Sequence, residues 1–181
     1  MRHFKLPFPQ ITFTLLLLSI SMLAADKKQS PAAPVPAQIL SAKKIFIANA
    51  GGDESVFEEG SQYTGGTTRA YNQLYDAMKT WAHFELVSSP AEADLLVEIE
   101  FINNLVQPNQ NGLFSPQSDP RLHLTIRDPK TNAILWGISE HAQWAILQGN
   151  RDRNFDTAMS KIVGEVRRIS VPADAPAASA R

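Results

Sequence analysis

The 181-residue chain contains no cysteine. No disulfide can staple it, no thiolate can serve as a nucleophile, and no cysteine-ligated zinc site can form. The fold must therefore rest on its own core, which is feasible at this size. For the same reason there is no cysteine on which a lipoprotein-type anchor could be built. An excess of one charge sign is also missing: Lys and Arg number 17 against 18 Asp and Glu, for a net charge of −1. Nucleic-acid surfaces are usually visibly basic, and this composition is not. Only one long apolar run stands out, residues 11–23, and Thr12, Thr14, Ser19 and Ser21 interrupt it. It falls short of the roughly 20 residues a spanning helix needs. No Gly-x-Ser-x-Gly elbow and no heptad or solenoid period is found.

The start of the chain carries the clearest signal. Arg2, His3 and Lys5 precede the apolar run, which ends in Ala24-Ala25 before Asp26-Lys27-Lys28. A basic start, an apolar middle and a small-residue exit make a secretion signal. Cleavage is expected near Ala25; because Leu23 is not the small residue a peptidase prefers, Ala24 is the alternative exit. Residues 1–25 thus read as a signal peptide and the chain as exported, to the periplasm or beyond it. Residues 26–42, with Pro31, Pro34 and Pro36 among alanines, read as an extended linker. Residues 171–181 read as a disordered Pro/Ala-rich tail. One α/β domain is expected over residues 43–170.

Within that domain Lys44-Ile45-Phe46-Ile47-Ala48 reads as a buried strand. A polar loop follows, ending in Gly65-Gly66, and Thr67 or Thr68 can cap the next helix. Tyr71, Leu74, Tyr75, Met78 and Trp81 recur at helical spacing. Phe84 to Val87 is a second strand. Leu95, Val97, Ile99 and Phe101 share one parity against Glu98 and Glu100. A long loop is expected over Asn103 to Pro120. Leu122, Leu124 and Ile126 then alternate with His123, Thr125 and Arg127. Asp128-Pro129-Lys130-Thr131-Asn132 is a turn, with Asn tolerating left-handed backbone at its exit. Ile134, Trp136 and Ile138 resume the alternation, continued by Ala142 and Trp144, so an antiparallel hairpin is expected. A last helix carries the stripe Phe155, Ala158, Met159, Ile162, Val163, Val166 and Ile169. Arg167 and Arg168 end it, complementing its dipole. The fold class implied is α/β (α+β): a two-layer sandwich, with a mixed sheet of about five strands and two helices on one face.

Four segments in this order resemble a known pattern: Phe84-Glu85-Leu86-Val87, Ala93-Asp94-Leu95-Leu96-Val97, Leu122 to Asp128, and Thr131-Asn132-Ala133-Ile134-Leu135-Trp136. The text is similar to the TolB amino-terminal domain and its CsgG-like relatives among bacterial envelope proteins, and to small envelope proteins of the same plan. Asn132 stands where the turn glycine is usual, and no β-propeller follows. The resemblance implies an accessory or binding role at the cell envelope, with another envelope protein as partner. It brings no catalytic residues and no cofactor.

Candidate chemistry is sparse. His123 and His141 fall on one face of neighbouring strands, with Glu98 and Glu100 beside them. Diagonal cross-strand positions lie roughly 7–8 Å apart, so a metal could bridge two imidazoles with carboxylate help. Metal binding or metal-dependent hydrolysis is the alternative function; the bland reading is a solvated face of mixed charge. Gly65-Gly66-Thr67-Thr68 lacks the lysine and spacing of a phosphate loop. Gly51-Gly52-Asp53-Glu54 has no calcium-loop spacing. His83 reads as a structural residue at a helix end. Trp81, Trp136 and Trp144 are expected in the core. The long loop, with Leu113-Phe114 at its middle, reads either as a partner-binding segment or as plain disorder, and the exposed sheet face is the other candidate surface. No catalytic residue and no cofactor site is assigned.

Overall fold

The two apolar helix stripes and the alternating strands meet as the sequence implies. The computed structural model describes residues 33–52, 63–106 and 117–171. The chain divides into a unit ending at Ala33 and a second unit from Pro34 onward, which holds every element named below. These are α1 (Ala37–Ser41), β1 (Lys44–Gly52), α2 (Arg69–Trp81), β2 (Glu85–Leu86), β3 (Leu95–Val106), β4 (Gln117–Arg127), β5 (Ile134–His141) and α3 (Gln148–Ser170). A short 3₁₀ turn, Pro90–Glu92, leads into β3. The sheet runs β2-β1-β3-β4-β5. β1 is parallel to β2 and β3, whereas β3–β4 and β4–β5 are antiparallel.

One face of the sheet is the core. Ile45 and Ile47 of β1, Leu95, Val97, Ile99 and Phe101 of β3, and Leu122, Leu124 and Ile126 of β4 are buried against Leu74 and Met78 of α2 and the whole predicted stripe of α3. Both long helices therefore cover the same side, as the two-layer expectation requires. Tyr63, Phe101 and Phe155 form an edge-to-face and tilted aromatic cluster at the centre.

Several expectations need correction. Ala37–Ser41, inside the stretch read as an extended linker, is a helical turn whose Ile39 is buried in the core, as is Ala42. Pro36 precedes the turn, where a fixed φ starts a helix rather than breaking one. Thr68 occupies the N-cap of α2 but its side chain caps nothing, because its backbone is already helical, with φ −91° and ψ −5°. β3 and β4 run past Ile102 and start before Leu122, so residues 103–106 and 117–120 of the expected loop are paired strand. Leu113 and Phe114 lie outside the described residues, as do residues 1–25.

Pro120 explains why that strand looked like loop. Its carbonyl accepts from Ala142 N beyond the end of β5. In an antiparallel strand the N of a residue points the same way as its carbonyl, so the missing N–H faces Ala142 O, which accepts from the Tyr63 hydroxyl instead.

Two residues of the expected hairpin alternation are also displaced. Ile126 pairs with Trp136 but Arg127 pairs with Ile134, so Leu135 is bulged out of the ladder. A one-residue slip moves Ile134 to the opposite face, where it is exposed. Trp144 lies beyond β5, where period two no longer places side chains, and it too is exposed, while Trp81 and Trp136 are half-buried against the core.

Candidate functional site: the uncovered sheet face

Among the described residues every helix lies on one side of the sheet, and no described element covers the other. Cross-strand register builds it row by row. Phe46, Leu96, Arg127 and Ile134 form one row, Ala48, Glu98, Thr125 and Gly137 the next, then Glu100, His123 and Ser139, and finally Ile102, Arg121 and His141. The second and third rows are flat at one end because Ala48, Gly137 and Ser139 carry little or no side chain.

The charges on this face are paired among themselves. Arg127 Nε donates to Glu98 Oε2 at 2.7 Å, and His123 Nδ1 lies 3.0 Å from Glu100 Oε1. Asp119 Oδ2 accepts from both Arg121 Nε (2.9 Å) and Arg121 Nη2 (2.7 Å), while its Oδ1 stands 2.7 Å from His141 Nδ1. The Arg121 guanidinium, with His141 adding to it, holds the Asp119 carboxyl below the usual carboxylate range.

His123 and His141 do share a face, as expected, with Glu98 and Glu100 on the neighbouring strand. They do not converge on one point. Each imidazole faces a different carboxylate, and the arginines bring positive charge to Glu98 and Asp119, where a cation would have to sit. Among the described residues no group of three or more His, Asp or Glu is placed to hold a metal. Asp119 and Arg121 were missed by sequence reasoning. Their parity continues that of His123, and only Pro120 between them concealed the strand.

Two acidic residues of the resembling segments, Asp94 and Asp128, have structural jobs. Asp94 Oδ2 accepts the backbone N–H groups of Lys43 (2.8 Å) and Lys44 (2.9 Å), pinning the start of β1 to the start of β3. Those two bonds lower its pKa. Asp128 Oδ1 accepts from Lys130 N and its Oδ2 from Thr131 Oγ1, closing the β4–β5 turn, and these bonds lower its pKa too. Asn132 then exits the turn with φ 59°, the left-handed conformation its identity allows. Asp94 and Asp128 line an open cavity of about 550 Å³ together with Gln38, Lys43 and Lys130. Both carboxylates are already engaged, Asp94 by two backbone N–H groups and Asp128 by Lys130 N and the Thr131 hydroxyl.

A second polar cluster joins α2 to α3. Arg69 Nη1 donates to Asp152 Oδ1 at 2.6 Å and to Thr64 O, and Arg69 Nη2 donates to Asp156 Oδ1 at 2.7 Å. Its guanidinium also lies 4.2 Å from the Phe155 ring centre. Burial works against the Asp152 charge, but the Thr64 N–H and Arg69 outweigh it and lower its pKa. Gly65, at φ 93°, makes room for this arginine: a Cβ there would stand 2.9 Å from Arg69 Cδ. Gly65 thus serves packing, while Gly66, with φ 67° and open space around it, serves only the backbone turn. Nearby, burial pushes the Tyr63 phenol up to about 12, and its hydroxyl donates to Ala142 O. His83 stacks on Trp81 at 4.5 Å, a structural contact as expected. Asp53 and Glu54 lie outside the described residues.

Among the described residues no helix is long and apolar enough to cross a membrane. No family model matches the chain, and no curated protein does. Solved structures do. A protein from Helicobacter pylori described as a candidate neuraminyllactose-binding hemagglutinin homolog has a TM-score of 0.45 at 10% identity, over 74% of this chain and 89% of its own. A DUF330 protein from Xanthomonas campestris has a TM-score of 0.45 at 11% identity, over 75% and 87%. An uncharacterised lipoprotein from Nitrosomonas europaea has a TM-score of 0.40 at 11% identity, over 77% and 90%.

Proposed function

We propose that this chain is an exported, non-enzymatic binding module of the bacterial cell envelope, and that its partner is another envelope protein. The uncovered sheet face carries the reading. It is broad and nearly flat around Ala48, Gly137 and Ser139, and its charges are already paired with one another. Pre-paired charges lose less on desolvation than lone ones, which suits a surface that becomes covered. Export rests on the basic and apolar start of the chain. The finer assignment, to the TolB amino-terminal and CsgG-like proteins, rests on the matched segments. Asp94 and Asp128 give those segments a reason to recur, since one clamps two strands and the other closes a turn.

Gly137 offers a clean test. A Cβ at Gly137 meets nothing within 4 Å, so Gly137→Arg is accommodated by the fold. Crosslinking in the native envelope followed by mass spectrometry should recover a recurrent protein partner with the wild-type chain. Gly137→Arg should lose that partner while melting within a few degrees of wild type. The same partner recovered undiminished with Gly137→Arg would remove the sheet face from the reading.

A further inference from the structure

We propose that Trp144, Ile146 and Leu147, on the segment between β5 and α3, form a docking point for an anionic lipid surface. This inference uses a different surface from the sheet face and does not rest on the protein-partner reading. The three side chains are 50%, 80% and 66% exposed, while Ala142, just before them, is fully buried. Single exposed apolar residues are ordinary, but three within four positions concentrate apolar surface on one segment, called the patch below.

Four of the five carbonyls of residues 143–147 are engaged from within. Gln143 O accepts from Asn154 Nδ2 at 2.7 Å. Arg151 Nη1 donates to Ala145 O at 2.9 Å and to Ile146 O at 2.7 Å. Leu147 O accepts from Asn150 N and Arg151 N. A loop in water has no need to satisfy its carbonyls internally. A loop that enters the boundary of a bilayer does, because an unmet carbonyl there is costly.

Charge favours the same occupant. Arg153, exposed in the early part of α3, donates from Nη1 to Asn150 Oδ1 at 3.3 Å, which aims its guanidinium back toward the patch. The acidic residues close by are already paired: Asp152 with Arg69 and Thr64, and the half-exposed Asp156 with Arg69 and Gln73. Among the described residues, the exposed charge left without a carboxylate partner in this stretch is Arg153, complementary to phosphate headgroups. Size argues against a protein occupant. A standard protein interface uses about 20–30 residues a side, far more than this patch offers, whereas lipid binding accumulates group by group. Trp144 would sit at headgroup level, with Ile146 and Leu147 deeper.

The absence of native cysteine permits a local probe. Full-length Ile146→Cys, and independently Leu147→Cys, would carry an environment-sensitive nitrobenzoxadiazole label; Ser139→Cys on the sheet face is the comparison. Binding is read from the label, so contributions from other segments, residues 11–23 included, do not enter. Vesicles of equal parts phosphatidylcholine and phosphatidylglycerol should brighten and blue-shift both patch labels but not the Ser139 label. Arg153→Glu should weaken that response about tenfold in lipid concentration, as expected for reversing one charge at the surface. Patch labels that ignore these vesicles would overturn the proposal. So would an equal response to pure phosphatidylcholine that Arg153→Glu leaves unchanged, or an equal response from Ser139. A response that grows with protein concentration in the absence of lipid would assign the patch to a second copy instead.

Discussion

Among the described residues two non-glycine positions hold left-handed backbone, Asn132 with φ 59° and Ala82 with φ 53°. Asn is one of the few side chains that tolerate this region, and the turn after β4 is legible from Asp128 and Asn132 together. Ala82 carries no such signal. It ends α2, and its N–H still bonds to Met78 O at 3.0 Å. Glycine is the residue helices prefer at this point, because a Cβ in left-handed backbone is crowded. Ala82→Gly should therefore stabilise the domain by about 0.5–1 kcal/mol, with relief of strain exceeding the entropy glycine adds to the unfolded chain. Thermal melting checks this: the variant should melt a few degrees higher. A lower melting temperature would show that the strain at Ala82 is negligible.

At the scale of elements, hydrophobic period found both long helices and the buried side of β3 and β4, because burial on one face leaves a clear parity. The stripe from Phe155 to Ile169 is buried at every predicted position. The expected second strand over Phe84 to Val87 is present as the two-residue β2. Periodicity failed at the Leu135 bulge that turns Ile134 outward, and past the end of β5 at Trp144. It also could not see polar joints between distant segments. Arg69, with its side chain 11% exposed, meets Asp152 and Asp156 more than eighty residues away, and no local pattern announces that. Arg69→Ala leaves the Asp152 carboxylate without its guanidinium and removes the cation from the Phe155 ring. The expected cost is about 2–3 kcal/mol, reduced from that of a fully buried pair by the exposure of Asp156. Arg69→Lys should recover little, since one ammonium cannot span two carboxylates as the planar fork does. Urea unfolding should show lower midpoints for both variants with unchanged slopes. A lysine variant as stable as wild type would mean that charge alone, not geometry, joins the helices.

Over the whole molecule these polar joints take the place that disulfides hold in many exported domains. Asp94 ties β1 to β3, Asp119 engages Arg121 and His141 across β4 and β5, Asp128 closes their turn, and Asp152 binds α2 and Thr64 to α3. All four carboxyls titrate below their ordinary value in the folded chain. A carboxyl whose folded pKa is depressed binds fewer protons folded than unfolded, so it adds stability as pH rises. That contribution is complete above the unfolded value, about 3.9 for Asp. It is lost as pH falls below that value and through the lowered folded ones. The domain should thus hold its acid-side stability down to about pH 4 and lose it steeply below, with several joints releasing in the same window. Asp94→Asn isolates one of them. Its amide oxygen accepts the Lys43 and Lys44 N–H groups without a charge, so at neutral pH the variant should be less stable by about 1 kcal/mol, a figure kept small by the site's exposure. As pH falls below 4 the gap should close, because protonation turns the wild-type group into a neutral acceptor as well. A gap that stays constant into acid would mean that the Asp94 clamp works by shape rather than by charge.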